Sequence, residues 1–267
     1  MTESLRKAAV SGSFYPGSCS RLNAYFREFN RRFDRITIKK EILDIRPKAI
    51  IVPHAGYIYS GFTANFAYRF LAHSNPKRII VIGPSHHFYF KGISASHFEA
   101  FETPCGNIDI DTAYLHALAK EYHIGFIPEA HRREHSTEVQ MPFIRHYFPK
   151  AKVIELVYGD IPAEKISDII TALLHNPDNA VVISSDLSHF YPLSKAKKLD
   201  EHCMRAVASI DPNALKQCEA CGIIGIKAMI FSAQKLGLSS KLLDYRTSAD
   251  TTKDQHSVVG YMSAMFY

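Results

Sequence analysis

Four short apolar segments rich in β-branched residues recur along the chain, each bounded by Pro, Gly or Ser. They cover residues 48–52, 78–82, 152–157 and 180–183. Because they are nearly free of polar positions, they are typical of strands covered on both faces, as in a parallel sheet. Helical periodicity fills the intervals, at residues 61–73, 112–122, 163–175 and 195–207. The alternation predicts an α/β fold of three layers, in which helices cover both faces of a mostly parallel central sheet.

The pattern changes after Asp211. Two further helices are predicted there, followed by extended segments at 241–247 and 257–266 that would form a carboxy-terminal hairpin and make the sheet mixed. Residues 88–108 contain the turn-forming sequence Thr-Pro-Cys-Gly and predict loops or a short hairpin over the sheet edge. With 267 residues and no repeat or linker, the chain is expected to form a single domain over 1–267.

Composition narrows the class of protein. Apolar residues make up 46% of the chain and charged residues 22%, which is ordinary globular usage. The sequence has no apolar stretch of membrane-spanning length and does not begin with a signal peptide, so we expect a cytoplasmic protein without a membrane partner. The net charge is +6, but the basic residues are dispersed and no nucleic-acid-binding module accompanies them, so no nucleic acid partner is expected.

The five cysteines do not resemble a disulfide framework. Their number is odd and they are scattered, so we expect them to remain thiols in a reducing compartment. Cys218 and Cys221 form one CxxC pair, whereas a zinc ribbon needs two such pairs. We therefore expect these two cysteines to be small buried residues.

Chemistry-bearing side chains follow three of the predicted strands directly. His54 lies just after the first strand and His86 just after the second, while Asp186 and His189 follow the fourth. In open α/β sheets, ligands bind outside the carboxyl ends of the strands, where side chains from separate strands converge. His54 and His86 are separated by about one βαβ unit, which places such positions on neighbouring strands. The sequence thus predicts a crevice lined by imidazole and carboxylate groups.

Two histidines and one carboxylate can hold a metal ion with open coordination positions, the arrangement used in non-haem iron(II) chemistry. The segment 131–138, HRREHSTE, precedes a predicted helix and would cap the same crevice, which makes His135 a catalytic candidate beside His189 and Asp186. Arg132 and Arg133 would attract an anionic ligand. A lone histidine at a strand end is more often a packing residue. The prediction therefore depends on the presence of histidine or carboxylate side chains at three strand ends.

Other chemistries are less well supported. The sequence GPSHH at 83–87 resembles half of a nucleophile elbow, but His87 replaces the second glycine that the sharp turn requires, which disfavours Ser85 as an acyl nucleophile. The nucleotide-binding patterns GxGxxG and GxxxxGK[ST] do not occur in the sequence.

Several motifs together resemble the Memo family. In chain order they are GSFYPGS, PHAGYIYSG, GPSHH, EHSTEVQMPF, SSDLSH, the pair Cys221-Gly222 and SVVGYMSAMF. The resemblance implies a fold similar to the catalytic subunit of class III extradiol ring-cleaving dioxygenases, whose iron(II) is held by two histidines and a carboxylate. On the matching motifs, it points to His54, His86, Asp186 and His189 as site residues.

The resemblance also implies cofactors and partners. Family members have been associated with iron or copper binding and redox activity. Animal relatives are linked to receptor signalling through phosphotyrosine peptides, and microbial relatives occur with a radical-SAM protein and an AMMECR-type domain. None of these associations defines a reaction for this chain.

The chain departs from the animal members at one position. They place a cysteine ligand in the carboxy-terminal loop, whereas alignment from SVVGY puts Thr251 there, next to Asp250. On this basis a thiolate is absent, so iron(II) is favoured over copper. Asp250 is the predicted third ligand, ahead of Thr251, Glu134 and Asp186, because an anionic oxygen complements two neutral imidazoles.

Two hypotheses follow. The first is a mononuclear metal-binding protein, with iron-dependent redox or oxygenase-like activity on an unidentified small molecule and with His54, His86 and Asp250 as ligands. The second is a non-catalytic binding module that needs no metal and uses the same crevice for a peptide or an anionic ligand. The sequence does not decide whether the chain is an enzyme.

Overall fold

The computed structural model describes residues 3–267. Its strands are β1 Glu3–Arg6, β2 Ala49–Val52, β3 Arg78–Pro84, β4 Ile93–Ala95, β5 Phe98–Phe101, β6 Ile108–Asp109, β7 Lys152–Tyr158, β8 Asn179–Ser184, β9 His189–Tyr191, β10 Ser240–Thr247 and β11 Val258–Phe266. Its helices are α1 Cys19–Phe33, α2 Lys40–Leu43, α3 Tyr57–Leu71, α4 Thr112–Glu121, α5 Glu129–Arg132, α6 His135–Glu138, α7 Met141–Tyr147, α8 Ala163–Leu174, α9 Leu193–Ser209, α10 Ile223–Leu236 and α11 Ala249–Thr252. Short 3-10 helices cover Ala72–Ser74 and Pro212–Gln217.

The larger sheet has the strand order β10-β11-β2-β8-β3-β7-β4, with β9 paired to β11. Its four central strands, β2, β8, β3 and β7, run parallel and coincide with the four predicted apolar segments. Most of their residues are fully buried, which explains why the segments lack polar alternation. The α/β class and the antiparallel hairpin of β10 and β11 are confirmed.

The sheet is mixed at both edges, whereas the sequence predicted mixing only at the carboxy-terminal hairpin. β4 pairs antiparallel with β7 at the far edge, and β1, β5 and β6 form a second, three-stranded sheet. Residues 88–108 contribute three of these short strands, which the sequence predicted only as loops or one hairpin. Their apolar positions are few, but Phe98, Phe101 and Ile108 are buried. Strands of two to four residues are too short for alternation to identify.

Helix α3 connects β2 to β3 and is buried on nearly all of its surface. It packs against β2, β10 and β11 on the sheet and against α1 and α7. Its polar positions are paired: Asn65 donates to Asn30 of α1 and accepts a hydrogen bond from Tyr147 of α7. A buried helix with satisfied polar groups fixes the direction in which the chain leaves β2, and therefore the position of His54.

The expectation that all cysteines remain thiols is wrong in this structure. Disulfide bonds join Cys19 to Cys105 and Cys203 to Cys218, and Cys221 is the free cysteine among the described residues. The first bond spans 86 residues, a pairing that spacing alone does not reveal. The CxxC partners Cys218 and Cys221 are not joined to each other.

Within residues 3–267, no helix combines the length and apolar character needed to cross a membrane.

Candidate metal centre

The predicted strand-end residues converge at the carboxyl edge of the parallel strands. His54 follows β2 by two residues, and its ring centroid lies 5.1 Å from that of His86, which follows β3. Between β2 and β3 in the sheet runs β8, which leads to Asp186; the Asp186 carboxylate accepts a 2.7 Å hydrogen bond from the His54 backbone N–H. The strand order thus brings together residues that are distant in the chain.

Hydrogen bonds define the tautomer of His54. Its Nδ1 lies 2.9 Å from the hydroxyl oxygen of Ser184, which donates its single proton to the Ser136 carbonyl and accepts from Gln140 Nε2. The Gln140 orientation follows from its donation to the Pro53 carbonyl. Ser184 can therefore only accept from His54, so the proton is on Nδ1 and Nε2 carries the lone pair.

The ring of His86 is held in the same way by Glu134. Glu134 Oε1 lies 2.8 Å from His86 Nδ1, and Oε2 accepts a 2.6 Å bond from the His86 backbone N–H. Glu134 also accepts from the Ser136 N–H at 2.8 Å. Since the carboxylate has no proton to donate, Nδ1 of His86 is the donor, which leaves Nε2 as the ring nitrogen that can face a metal. A carboxylate–histidine pair of this kind is the usual support of a metal-binding imidazole.

Cys221 completes the group. Its Sγ lies 3.2 Å from Nε2 of His54 and accepts a 3.2 Å hydrogen bond from the backbone N–H of Asp186. The residue sits two positions before α10, where Gly222 approaches Ser185 so closely that a Cβ would lie 2.5 Å from the Ser185 Cβ. The glycine therefore lets the chain bring Cys221 against the strand ends. The sequence-based conclusion that a thiol is absent from the site is wrong, because the thiol comes from the segment just before α10 rather than from the carboxy-terminal loop.

Burial governs the charge of the site. Burial and the neighbouring His86 lower the pKa of His54 to about 3, and burial with the nearby His54 and His86 lowers the pKa of His135 to about 4. Burial raises the pKa of the Cys221 thiol to about 12, with a smaller effect from Asp186. For Glu134, burial opposes ionisation, but hydrogen bonds from His86 and Ser136 bring its pKa down to about 2. At neutral pH the rings of His54 and His135 and the Cys221 thiol are therefore neutral, and the Glu134 carboxylate is ionised.

The predicted catalytic residues lie around this group. The His135 ring is 4.4 Å from the His86 ring and 5.4 Å from the His54 ring, measured between centroids. Asp186 is buried, which raises its pKa, and supports His54 and Cys221 through its carboxylate and its backbone N–H. His189 begins β9 and lies close enough to His54 and Asp186 to influence the pKa of each.

The structure does not bring Asp250 together with the two histidines. Its carboxylate accepts hydrogen bonds from the backbone and side chain of Thr247, which caps the turn after β10. The neighbouring Thr251 donates to the Ile58 carbonyl. Within residues 3–267, two groups have ligand atoms within 4.8 Å of one another: His54 with His86 and Cys221, and His86 with Glu134 and His135. Asp250 is in neither.

The donor chemistry of the first group fits a transition metal. Two imidazoles held through Nδ1, together with a thiol, suit copper, zinc or iron better than magnesium or calcium, which prefer oxygen. The second group fits less well, because both carboxylate oxygens of Glu134 already accept hydrogen bonds.

These features define the class: an α/β protein with a histidine- and cysteine-containing site at the carboxyl edge of its parallel strands. A family profile described as "Memo-like protein" matches residues 6–265. The chain belongs to the Memo family.

Relatives agree with this assignment, and one solved structure shares the fold. A "MEMO1 family protein" of Aquifex aeolicus is 34% identical over 98% of this chain and 99% of its own length. Proteins of the same description from Sulfurisphaera tokodaii and Nitrosopumilus maritimus are 32% and 30% identical, with the same coverage of both chains. The crystal structure of the uncharacterized protein JW3007 from Escherichia coli K12 superposes with a TM-score of 0.55, covering 82% of this chain and 100% of that one. At 13% identity it shows a shared fold alone.

Proposed function

We propose that the chain binds one transition metal ion through His54 Nε2, His86 Nε2 and Cys221 Sγ, and that this centre serves redox or oxygenase-like chemistry on a small molecule. The observation that carries the proposal is the direction of the two imidazoles. Both Nδ1–H groups are bound, by Ser184 and by Glu134, which leaves both Nε2 atoms to face a metal, and Nε2 of His54 lies 3.2 Å from the thiol sulfur. A site built only for packing would have no need of this arrangement.

The identity of the metal is part of the proposal. Iron(II) was favoured from the sequence because a thiolate was thought to be absent, and Cys221 removes that reason. We keep iron(II) as the ion for oxygenase-like chemistry, and the thiol makes copper(I) the competing ion. When bound, either ion would supply one-electron chemistry toward oxygen or a substrate.

The residues of this chain have separable tasks in such a centre. Glu134 and Ser184 orient the two imidazoles, and the Asp186 N–H would stabilise the thiolate that Cys221 becomes on binding metal. His135, neutral and beside His86, is able to accept a proton from a bound ligand. We propose His189 as a second acid or base, because it lies near Asp186 without joining either group of candidate ligands.

Elemental analysis tests the proposal. The protein is purified anaerobically without chelator and then reconstituted separately with iron(II) and copper(I). We expect close to one metal ion per chain, lost in His54→Ala and His86→Ala but retained in His189→Ala. His87→Ala is the matched control, because His87 is adjacent to His86 and exposed. If neither ion binds the wild-type protein, or if metal content is equal in all four variants, the metal centre is refuted.

A further inference from the structure

Arg6 is a buried arginine whose hydrogen-bonding capacity is fully used. It is the last residue of β1, it is 1% exposed, and all five of its N–H groups donate hydrogen bonds. Nε and Nη2 donate to the carbonyl of His131 at 3.2 and 2.8 Å, and Nη2 also donates to the carbonyl of Glu134 at 2.9 Å. Nη1 donates to the Glu138 carboxylate and to the carbonyl of the next residue in the chain. A single guanidinium thus binds three points of the segment that carries His135.

The turn between His131 and Glu134 carries the carboxylate that orients His86. The Glu134 N–H donates to the His131 carbonyl at 3.2 Å, so Arg6 binds the carbonyls at both ends of one turn. The first end is also held by the His131 ring, whose Nδ1 lies 2.7 Å from the Glu155 carboxylate. At the second end, Arg6 fixes the carbonyl of Glu134, and with it the direction in which the Glu134 side chain leaves the backbone toward His86.

The smaller sheet and the chain that follows β1 hold Arg6 itself in place. β1 pairs in parallel with β5, where Arg6 is opposite Phe101 and its guanidinium carbon lies 5.8 Å from the centroid of the Phe101 ring. The Glu138 carboxylate accepts hydrogen bonds from the N–H groups of Ala9 and Val10, at 2.9 Å each. Both the backbone and the side chain of Arg6 are therefore fixed relative to the turn.

The ion pair of Arg6 and Glu138 is not explained by net stability. Both side chains are 1% exposed, so each has lost the water that would solvate its charge. The cost of removing that water offsets most of the attraction, and apolar side chains of similar volume often replace such a pair without loss of stability. Apolar side chains have no donors for the two carbonyls of the turn, however. The planar fork of an arginine supplies them in a fixed geometry.

We infer that Arg6 is a positioning residue of the site, which holds the Glu134 backbone and thereby orients the ring of His86. The inference rests on the proposed function for the role of His86 as a ligand. The connection from Arg6 through Glu134 to His86 is made of hydrogen bonds within the chain, so it can be tested without metal.

Arg6→Lys tests the inference in the metal-free, full-length protein. Lysine keeps a positive charge beside Glu138, but its single ammonium group cannot replace a planar fork that binds two carbonyls. With isotope-labelled histidine, proton–nitrogen NMR spectra detect the hydrogen-bonded Nδ1–H of each ring, and His86→Ala and His54→Ala assign the signals. We expect the His86 signal to be lost in Arg6→Lys and the His54 signal to persist, because the His54 ring is held by Ser184.

Arg78→Lys is the matched control. Arg78 begins β3, the strand that leads to His86, and donates to the Asp111 carboxylate at 2.7 Å, but it lies at the other end of that strand. The control should leave both histidine signals unchanged. If Arg6→Lys does not fold, Arg6→Met combined with Glu138→Gln takes its place, because that combination leaves neither buried charge without its partner. Glu138→Gln alone is then the reference.

Metal affinity separates this inference from the proposed function. If the site binds metal as proposed, Arg6→Lys should lower the affinity by about tenfold, as when the support of a ligand is lost. If the wild type takes up no metal and the His86 signal is still lost in Arg6→Lys, only the metal centre is refuted. A His86 signal that is unchanged in Arg6→Lys, or that is lost together with the His54 signal, would overturn the positioning role of Arg6.

Discussion

The Sγ atom of Cys221 lies 3.2 Å from Nε2 of His54, although 167 residues separate the two in the chain. The contact places a thiol, and not the predicted Asp250 carboxylate, beside His54. It arises because β8, which leads to Asp186, runs beside β2, and because α10 begins close to the end of β8. A residue supplied by the segment before a helix cannot be found by alignment to the carboxy-terminal loop.

Replacing Cys221 and Asp250 separately distinguishes the two candidate ligands. Cys221→Ser removes the thiolate and should weaken metal affinity by about tenfold or more. Asp250→Asn should leave affinity unchanged, because the Asp250 carboxylate is occupied by Thr247. Competition with a chromophoric chelator provides the affinities. The opposite ranking would restore Asp250 as the ligand.

Glu134→Gln tests whether the Glu134 carboxylate orients the ring of His86. Glutamine presents an NH₂ group where the carboxylate accepts from His86 or Ser136, so one buried donor loses its acceptor and the His86 ring loses its anionic partner. We expect metal affinity to fall by about 10- to 100-fold. Glu129→Gln is the control, since Glu129 is exposed and lies in the neighbouring helix α5. If the two variants bind metal equally well, Glu134 does not orient His86.

The metal-free protein should lose stability on acidification, in a window set by its buried histidines. Burial lowers the pKa of His54 to about 3 and that of His135 to about 4, from 6.5 in the unfolded chain. Below pH 6.5 the unfolded state therefore binds more protons than the folded state. Stability is fully present above that pH and declines as the pH falls toward 4 by about 1.4 kcal/mol per pH unit for each histidine.

Urea denaturation of chelator-treated protein, followed across this range, measures the slope. His54→Asn and His135→Asn should each make it shallower, whereas replacement of the exposed His73 is the control. A stability profile that is flat between pH 6.5 and 4 would contradict the buried, neutral state of the two rings.

Position 260 has room only for glycine, because the carboxylate of Asp200 lies against its Cα. A Cβ at position 260 would lie 2.1 Å from Asp200 Oδ2, and that carboxylate accepts hydrogen bonds from the Ser188 N–H and the Tyr245 hydroxyl. Gly260→Ala should therefore destabilise the protein by about 1–3 kcal/mol and loosen the segment that carries His189. Gly56→Ala is the matched control, because its Cβ would meet nothing nearer than 3.6 Å. Similar urea midpoints for the two variants would disprove the steric argument.

The sequence predicted the parts of the fold that depend on local pattern. All four apolar segments are central strands, and three of the four intervening helices begin within two residues of their predicted starts. The exception is α3, which begins at Tyr57 rather than at residue 61, because its first turn is determined by hydrogen bonds to Phe14 and Gly56. The antiparallel edge strand β4 and the sheet of β1, β5 and β6 depend on contacts between segments distant in the chain, which short strands do not encode.

The sequence predicted the site residues that directly follow the parallel strands. His54 and His86 meet because parallel strands end at one edge, a rule that sequence spacing can use. Cys221, Ser184 and the ring-orienting role of Glu134 were missed, since each depends on tertiary contacts. One signal was present: Cys221-Gly222 is among the family motifs, and a cysteine followed by a glycine needed for close approach identifies a chain segment held against another.

X-ray absorption spectroscopy at the metal edge of the anaerobically reconstituted protein tests the central claim most directly. With two imidazoles and one thiolate as protein ligands, we predict one sulfur and two nitrogen scatterers in the wild type, and loss of the sulfur in Cys221→Ser while the nitrogen contribution persists. A wild-type spectrum with only oxygen and nitrogen around the metal would contradict the assignment of Cys221 and return the third position to a carboxylate.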